Sequence, residues 1–161
     1  MPLTTQRECC CDVPQAYSYR DDPKVPHFDD GAPIAVMDAS CALCNWGAQM
    51  IHRLDKTGRV RICPMQTPLG ASLMTHYGLD PEDPESWLYL ENGHAHKDFE
   101  AVIHAARSFG GWGRLVFPLC VLPKRARDWS YQRIARNRYR IFGQKDLCAV
   151  PTPAFQKRLM R

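Results

Sequence analysis

At 161 residues, with 45% hydrophobic and 24% charged side chains, the chain is sized and composed for one globular domain with a buried core. The formal net charge of +4 is modest, which excludes a polyanionic or strongly polycationic chain, although basic residues crowd the stretch from Lys124 to Lys145. No basic segment leads into an apolar run at the N-terminus, and the apolar stretch from Leu115 to Leu122 is broken by Pro118 and too short for a bilayer, so neither a signal peptide nor a transmembrane segment is expected.

Residues 1–32 carry Pro2, Pro14, Pro23 and Pro26, scattered charges and no periodicity, and are expected to form a disordered or loosely attached arm. Cys9, Cys10 and Cys11 lie in it and are read as an incidental cluster. Pro33 to Met37 is short and apolar throughout, as in a central strand covered on both faces. A helix follows, with Leu43, Trp46, Gly47, Met50, Ile51 and Leu54 as its apolar stripe and Gly58 closing it. This places Trp46 in the core. Arg59 to Cys63 alternates and reads as a second strand. Thr67 before Pro68 has the form of a helix cap followed by a proline at the first helical position, predicting a helix to Tyr77.

Asp80 to Pro84 is a polar, proline-containing link. Ser86 to Leu90 is a third strand, Asn92-Gly93 is a hairpin turn, and His94 to Lys97 returns as the fourth strand. Asp98 opens a helix carrying Phe99, Val102, Ile103 and Ala106. The order is β-α-β-α-β-β-α, an α/β layout of the thioredoxin-like kind, with the first two strands parallel. A C-terminal helical extension begins near Pro123, with a stripe of Tyr131, Ile134, Ala135, Arg138, Ile141 and Phe142. An arginine on such a stripe needs a partner. The domain is therefore drawn over residues 33–145, with 146–161 as a short tail, partly helical at Thr152 to Met160.

The most specific chemical signal is Cys41-Ala42-Leu43-Cys44, placed where the first strand hands over to the first helix. At a helix N-terminus, unpaired backbone N–H groups and the helix dipole favour an anion, so Cys41 is the expected attacking thiolate and the more exposed sulfur of the pair. Cys44, one turn later, is placed to resolve a mixed disulfide. The competing reading is half of a zinc site, but a structural zinc takes four ligands and the sequence has no second CxxC. Eight cysteines in this spacing do not form a secreted disulfide framework, and a reducing, cytoplasmic setting is expected. Asp38 is read as shaping the turn before Cys41; its charge raises a neighbouring thiol pKa, so it positions rather than activates. Cys63, at the end of the second strand, is either a third thiol near Cys41 or a half-buried small hydrophobe. His94 and His96 share one strand face, which is too few ligands for a metal. His52 is read as a partly exposed helix residue.

The run Asp38-x-x-Cys41-x-x-Cys44, together with Tyr131-Gln132-Arg133-Ile134-Ala135-Arg136-Asn137-Arg138-Tyr139-Arg140-Ile141-Phe142-Gly143, resembles the two signatures of the DCC family of thiol-disulfide oxidoreductases, a thioredoxin-like group named for those three residues. The resemblance spans about Ile34 to Pro151. It implies thiol-disulfide exchange, with a protein or small-molecule disulfide or dithiol as substrate, an electron donor or acceptor as partner, and no bound cofactor. It offers Arg136 or Arg138 as counter-ion to Asp38, and the fold makes Pro84, just before the third strand, the candidate for a cis-proline beside the thiols, with Pro81 a weaker one. Ala42-Leu43 differs from the Gly-Pro of thioredoxins, so their reduction potential is not transferred. The alternatives are a cysteine-based metal-binding module and a basic interaction domain with non-catalytic thiols. The basic C-terminal helix lacks a row of aromatic platforms, and no nucleic acid is expected.

Overall fold

The structure, a computed structural model, describes residues 15–82, 85–110, 121–144 and 152–160. Four strands, β1 (Ile34–Met37), β2 (Arg61–Pro64), β3 (Leu88–Glu91) and β4 (His94–Lys97), form one mixed sheet in the order β2-β1-β3-β4. β1 and β2 are parallel, with Met37 opposite Pro64; β3 runs antiparallel to both β1 and β4. The β1–β2 connection holds helix α1 (Ala42–Leu54), as a parallel pair requires. Helices α2 (Pro68–His76), α3 (Asp98–Ser108), α4 (Lys124–Phe142) and the short α5 (Pro153–Gln156) complete the described elements. This mixed α/β arrangement is consistent with a thioredoxin-like fold.

Local chemistry explains several boundaries. The Thr67 side chain accepts from the Gly70 N–H, 3.1 Å, at the start of α2. Asn92 and Gly93 both have positive φ, 50° and 77°, which matches a two-residue hairpin turn between β3 and β4. The buried strand residues alternate between two cores. Ile34, Val36, Cys63, Leu88 and Leu90 pack with Leu73 and Met74 of α2; Ala35, Met37, Ile62 and Tyr89 pack with Ala48 and Ile51 of α1, Ala101 and Ala105 of α3, and Phe155 of α5. Both faces of the sheet are thus covered at its centre, which is why β1 and most of β3 read as apolar runs, while the outer β4 (His94–Lys97) stays polar.

Two expectations are corrected. First, residues 15–32 do not hang free. Tyr19 and Val25 are buried with the α2-side core, a 3-10 helix spans Ser18–Asp21, and Tyr17 N–H donates to the Gly93 carbonyl, 2.9 Å. A Cβ on Gly93 would meet the Tyr17 ring at 2.5 Å, so this turn is shaped for the segment laid across it. Aromatic side chains and specific polar contacts replace the missing periodicity, with Tyr19 Oη donating to Asp30 and Asp22 bonded to His76. Residues 1–14, with Cys9, Cys10 and Cys11, lie outside the described residues.

Second, α1 is turned from the expected phase. Its buried residues are Asn45, Ala48 and Ile51, whereas Trp46 is 61% exposed. The stripe of α4 is also narrower than expected. Ala135 and Arg138 are buried where α4 packs against α1 and α3, while Ile134, Ile141 and Phe142 are largely exposed. The end of the C-terminal tail is helical over α5 and packs back on the sheet. Leu159 bridges to Ile62, Ile62 N–H donates to Arg158 O, and Met160 N–H donates to Ile62 O, both 2.8 Å. The outer edge of β2 is thereby paired in part instead of left open. Arg158 reaches the buried Asp55 carboxylate at 2.7 Å and locks the segment there.

Candidate functional site

The parallel β1 and β2 end at the same edge, and that places Asp38 beside Gln66. Met65 N–H donates to Met37 O at 2.9 Å, carrying the register one step beyond the strands. Asp38 is 2% exposed and fully engaged. Its Oδ1 accepts from Ser40 N–H at 2.9 Å and from Gln66 Nε2 at 2.8 Å. Its Oδ2 receives the Tyr139 hydroxyl and lies 3.4 Å from Arg138 Nη2. Gln66 Oε1 in turn accepts from Ala39 N–H, 3.1 Å, so one amide side chain holds both the carboxylate and the backbone after it. The bond to Ser40 is an Asx turn, which bends the chain from β1 into α1.

Cys41 is the N-cap of α1, with extended backbone and a carbonyl that accepts from Asn45 N–H. Its thiol is pulled down to about 6, first by the hydrogen bond from the Cys44 thiol, then by the N–H groups of Cys44 and Leu43 and by the charge of Arg138; burial opposes this. Cys44 is pushed up, first by donating to Cys41, then by burial and by the charges of Cys41 and Asp38. The two shifts run in opposite directions, favouring the charge on the thiol at the helix N-terminus and the proton on the thiol one turn in. Cys41, Cys44 and Cys63 carry no disulfide.

The expectation that Cys41 is the more exposed sulfur is overturned. Cys41 is 0% exposed, whereas Cys44 is partly accessible. The cause is the residue pair after α4. Gly143 has φ 75° at the helix C-cap and turns the chain back over α1; Ala42 N–H donates to its carbonyl at 3.3 Å, and Gln144 forms an antiparallel bridge with Cys41. A left-handed turn of this kind suits glycine.

Of the two signature arginines, Arg138 reaches Asp38, and its guanidinium also donates to Ala135 O at 3.2 Å and lies over the Tyr139 ring. Arg136 points outward, 3.3 Å from the exposed Glu85. Cys63 is buried with the α2-side core and contacts Thr67 Oγ1 at 3.5 Å, whereas Cys44 packs on the opposite side of the sheet, so the third thiol is not brought to the pair. Burial raises its pKa. Pro84, Cys120 and Cys148 lie outside the described residues. His96 stacks on His104 of α3, with ring centroids 3.4 Å apart, while His94 is exposed; His52 is partly buried, edge-on to Phe155. Among the described residues no group of three or more His, Cys, Asp or Glu side chains is arranged to hold a metal.

Two cavities flank the Asp38 cluster. One, of about 430 Å³, is polar and is lined by Ser40, Gln66, Glu82, Tyr139 and Gln144 among others. The other, of about 230 Å³, has apolar walls and reaches Cys44. Sequence reasoning missed Gln66, Tyr139 and Tyr131. Tyr139 stood beside Arg138 in the second signature, so a signal was present; Gln66 carried none.

A model of the DCC1-like thiol-disulfide oxidoreductase family matches residues 35–144, which takes in both the CxxC and the α4 residues that clamp Asp38. The chain belongs to that family. Among curated proteins, it is 33% identical to the uncharacterized protein YuxK of Bacillus subtilis (strain 168) over 79% of this chain and 93% of that relative. It is 31% identical to a chloroplastic DCC family protein of Arabidopsis thaliana, over 74% of this chain and 70% of the relative. No solved structure matches. For a DCC-family chain the region matched is informative: it runs from β1 to Gln144 and so includes the cover over Cys41. Among the described residues no helix is long and apolar enough to cross a membrane.

Proposed function

We propose that this protein catalyses thiol-disulfide exchange on a thioredoxin-like scaffold, with Cys41 attacking and Cys44 resolving. The observation that carries the reading is the placement of the two cysteines, Cys41 capping α1 and Cys44 one turn in and hydrogen-bonded to it, in a chain of this family, with the two thiols shifted in opposite directions. In the reductive direction the Cys41 thiolate attacks one sulfur of the substrate disulfide. That S–S bond breaks, the leaving sulfur departs as a thiolate, and a Cys41–substrate disulfide forms. Cys41 then no longer carries the charge or accepts the hydrogen bond that held the Cys44 proton. Cys44 becomes easier to ionise, gives up its proton, and attacks the Cys41 sulfur. The substrate leaves as its second thiolate, and the protein is left with a Cys41–Cys44 disulfide. Two electrons pass from the protein dithiol to the substrate, and an external dithiol donor restores the starting state.

Asp38 raises Cys44 by its charge and so favours its protonated form. Arg138 opposes that effect and favours both thiolates. Access to Cys41 requires the Gly143–Gln144 segment to move, because the residue is covered at rest. The substrate is a protein or small-molecule disulfide.

The test is redox equilibration of the purified protein in dithiothreitol buffers of graded potential, with free thiols counted by alkylation and mass spectrometry, combined with insulin-disulfide reduction. The reading requires a reversible two-electron Cys41–Cys44 couple and turnover that Cys41→Ser removes. Stoichiometric metal in protein purified without chelator, with no reversible couple, would replace it by the metal-binding alternative.

A further inference from the structure

The apolar cavity beside Cys44 has no task in the exchange steps above. It lies between α1 and α4, with Leu43, Met65, Trp87, Tyr131 and Ile134 among its walls. Its polar members already have partners. Asp38 and Arg138 are engaged with each other, and the Tyr131 hydroxyl is held by Ser86 and the Trp87 backbone, with burial raising its pKa to about 12. What faces the space is therefore mostly hydrocarbon and aromatic surface, with the Cys44 thiol on the wall.

Size selects the occupant. An apolar cavity of ~150 Å³ is enough to take benzene, and sites for drug-sized or cofactor ligands begin near ~300 Å³. At about 230 Å³ this one suits a single aromatic or branched aliphatic side chain and is too small for a dinucleotide or flavin. Position selects the kind of molecule that carries that side chain. Cys44 is one helical turn, about 5 Å, from Cys41, and an extended chain advances about 3.3–3.6 Å per residue. A polypeptide whose cysteine is joined to Cys41 would thus reach the cavity with the side chain one or two positions away.

We propose that the cavity is a specificity subsite for polypeptide disulfides, taking an apolar residue next to or one removed from the substrate cysteine. The inference rests on the exchange reading and adds the substrate class to it. A short charged disulfide such as oxidised glutathione has no side chain to fill the space. A flanking leucine or phenylalanine buries its surface against Trp87, Tyr131 and Ile134 and holds the substrate sulfur in line with Cys41.

The experiment uses short peptides of the form Ser-X-Cys-X-Ser, each joined through its cysteine to thionitrobenzoate, with X as Leu, Phe, Ser or Asp. Reduced full-length protein attacks the peptide sulfur, and thionitrobenzoate leaves as a coloured thiolate, so each attack is counted by absorbance. One well-filled apolar contact is worth roughly 10-fold or more in kcat/KM. The Leu and Phe peptides should therefore react at least ~10-fold faster than the Ser peptide. Ile134→Asp, at the exposed rim, and Ala135→Phe, which fills the space from α4, should each remove most of that advantage; the first keeps the test valid if the second disturbs folding. Equal rates for all peptides in the unaltered protein, or an advantage kept in both variants, overturn the subsite while leaving exchange intact. Release from none of the peptides by fully reduced protein overturns the exchange reading, and the subsite with it.

Discussion

Arg138 to methionine is the substitution that most directly probes how α4 is fastened to the thiol loop. The Arg138 side chain is 8% exposed and the Asp38 side chain 2%, with 3.4 Å between guanidinium and carboxylate. Breaking a buried pair by removing one partner strands the other charge, at about 3–5 kcal/mol. Asp38 keeps three donors, from Ser40, Gln66 and Tyr139, so the cost should fall at the lower end, about 3 kcal/mol. For a chain of this length that is a Tm drop of roughly 6–12 °C. The internal control is Arg136→Met, which breaks a pair whose side chains are 64% and 61% exposed and should cost less than about 1 kcal/mol. Urea unfolding followed by circular dichroism measures both. Asp38→Asn combined with Arg138→Met should cost less than the sum of the single changes, because the two sites share one interaction. An Arg138→Met protein as stable as Arg136→Met would refute the claim that this pair ties α4 to the loop.

The remaining expectations concern the thiols, their cover and the N-terminal segment. Because Cys41 is shifted down, its thiolate persists at neutral pH and is lost only on acidification, so iodoacetamide modification should be half-maximal near pH 6 rather than near about 8.5. Cys44→Ala removes the leading cause of that shift and should move the midpoint upward; an unchanged midpoint would show that the Cys44 hydrogen bond does not set it. Gly143→Val forces a β-branched residue into φ 75° and should loosen the cover, raising the modification rate of Cys41 several-fold at constant pH. Tyr19→Ala should cost about 3–5 kcal/mol, as large aromatic truncations in a core do, since Tyr19 is 2% exposed and stacked on Phe28. Full stability in that variant would return residues 15–32 to the status of a loose arm.

What the sequence disclosed was mostly local. The Thr67 cap, the Asn92-Gly93 turn and Cys41 at the head of α1 each depend on a few adjacent residues, so their chemistry could be read in place. β1 and β3 were legible because both faces of the sheet are buried there, and β4 because the Asn92-Gly93 turn announced it. The errors came from contacts made across long stretches of chain. Tyr139 meets Asp38 from 101 positions away, and Gln66 has no pattern around it that announces a bond to the same carboxylate. The cover over Cys41 is formed by a residue pair after a distant helix, and a rule about helix N-termini says nothing of what is later laid over them. Residues 15–32 failed for a related reason: single aromatic anchors bury well without periodicity. In α1, counting apolar residues put Trp46 inside and left out Asn45, the polar residue that the structure buries.

The measurement that bears most directly on the assigned roles is mass-spectrometric mapping of the mixed disulfide formed with a peptide or protein disulfide in the Cys44→Ser and Cys41→Ser variants. If Cys41 attacks and Cys44 resolves, Cys44→Ser should accumulate a stable adduct joined through Cys41, and Cys41→Ser should form almost none. An adduct built through Cys44 in the Cys41→Ser protein, at a rate equal to or above the other, would reverse the roles and make the partly accessible thiol, not the covered one, the nucleophile.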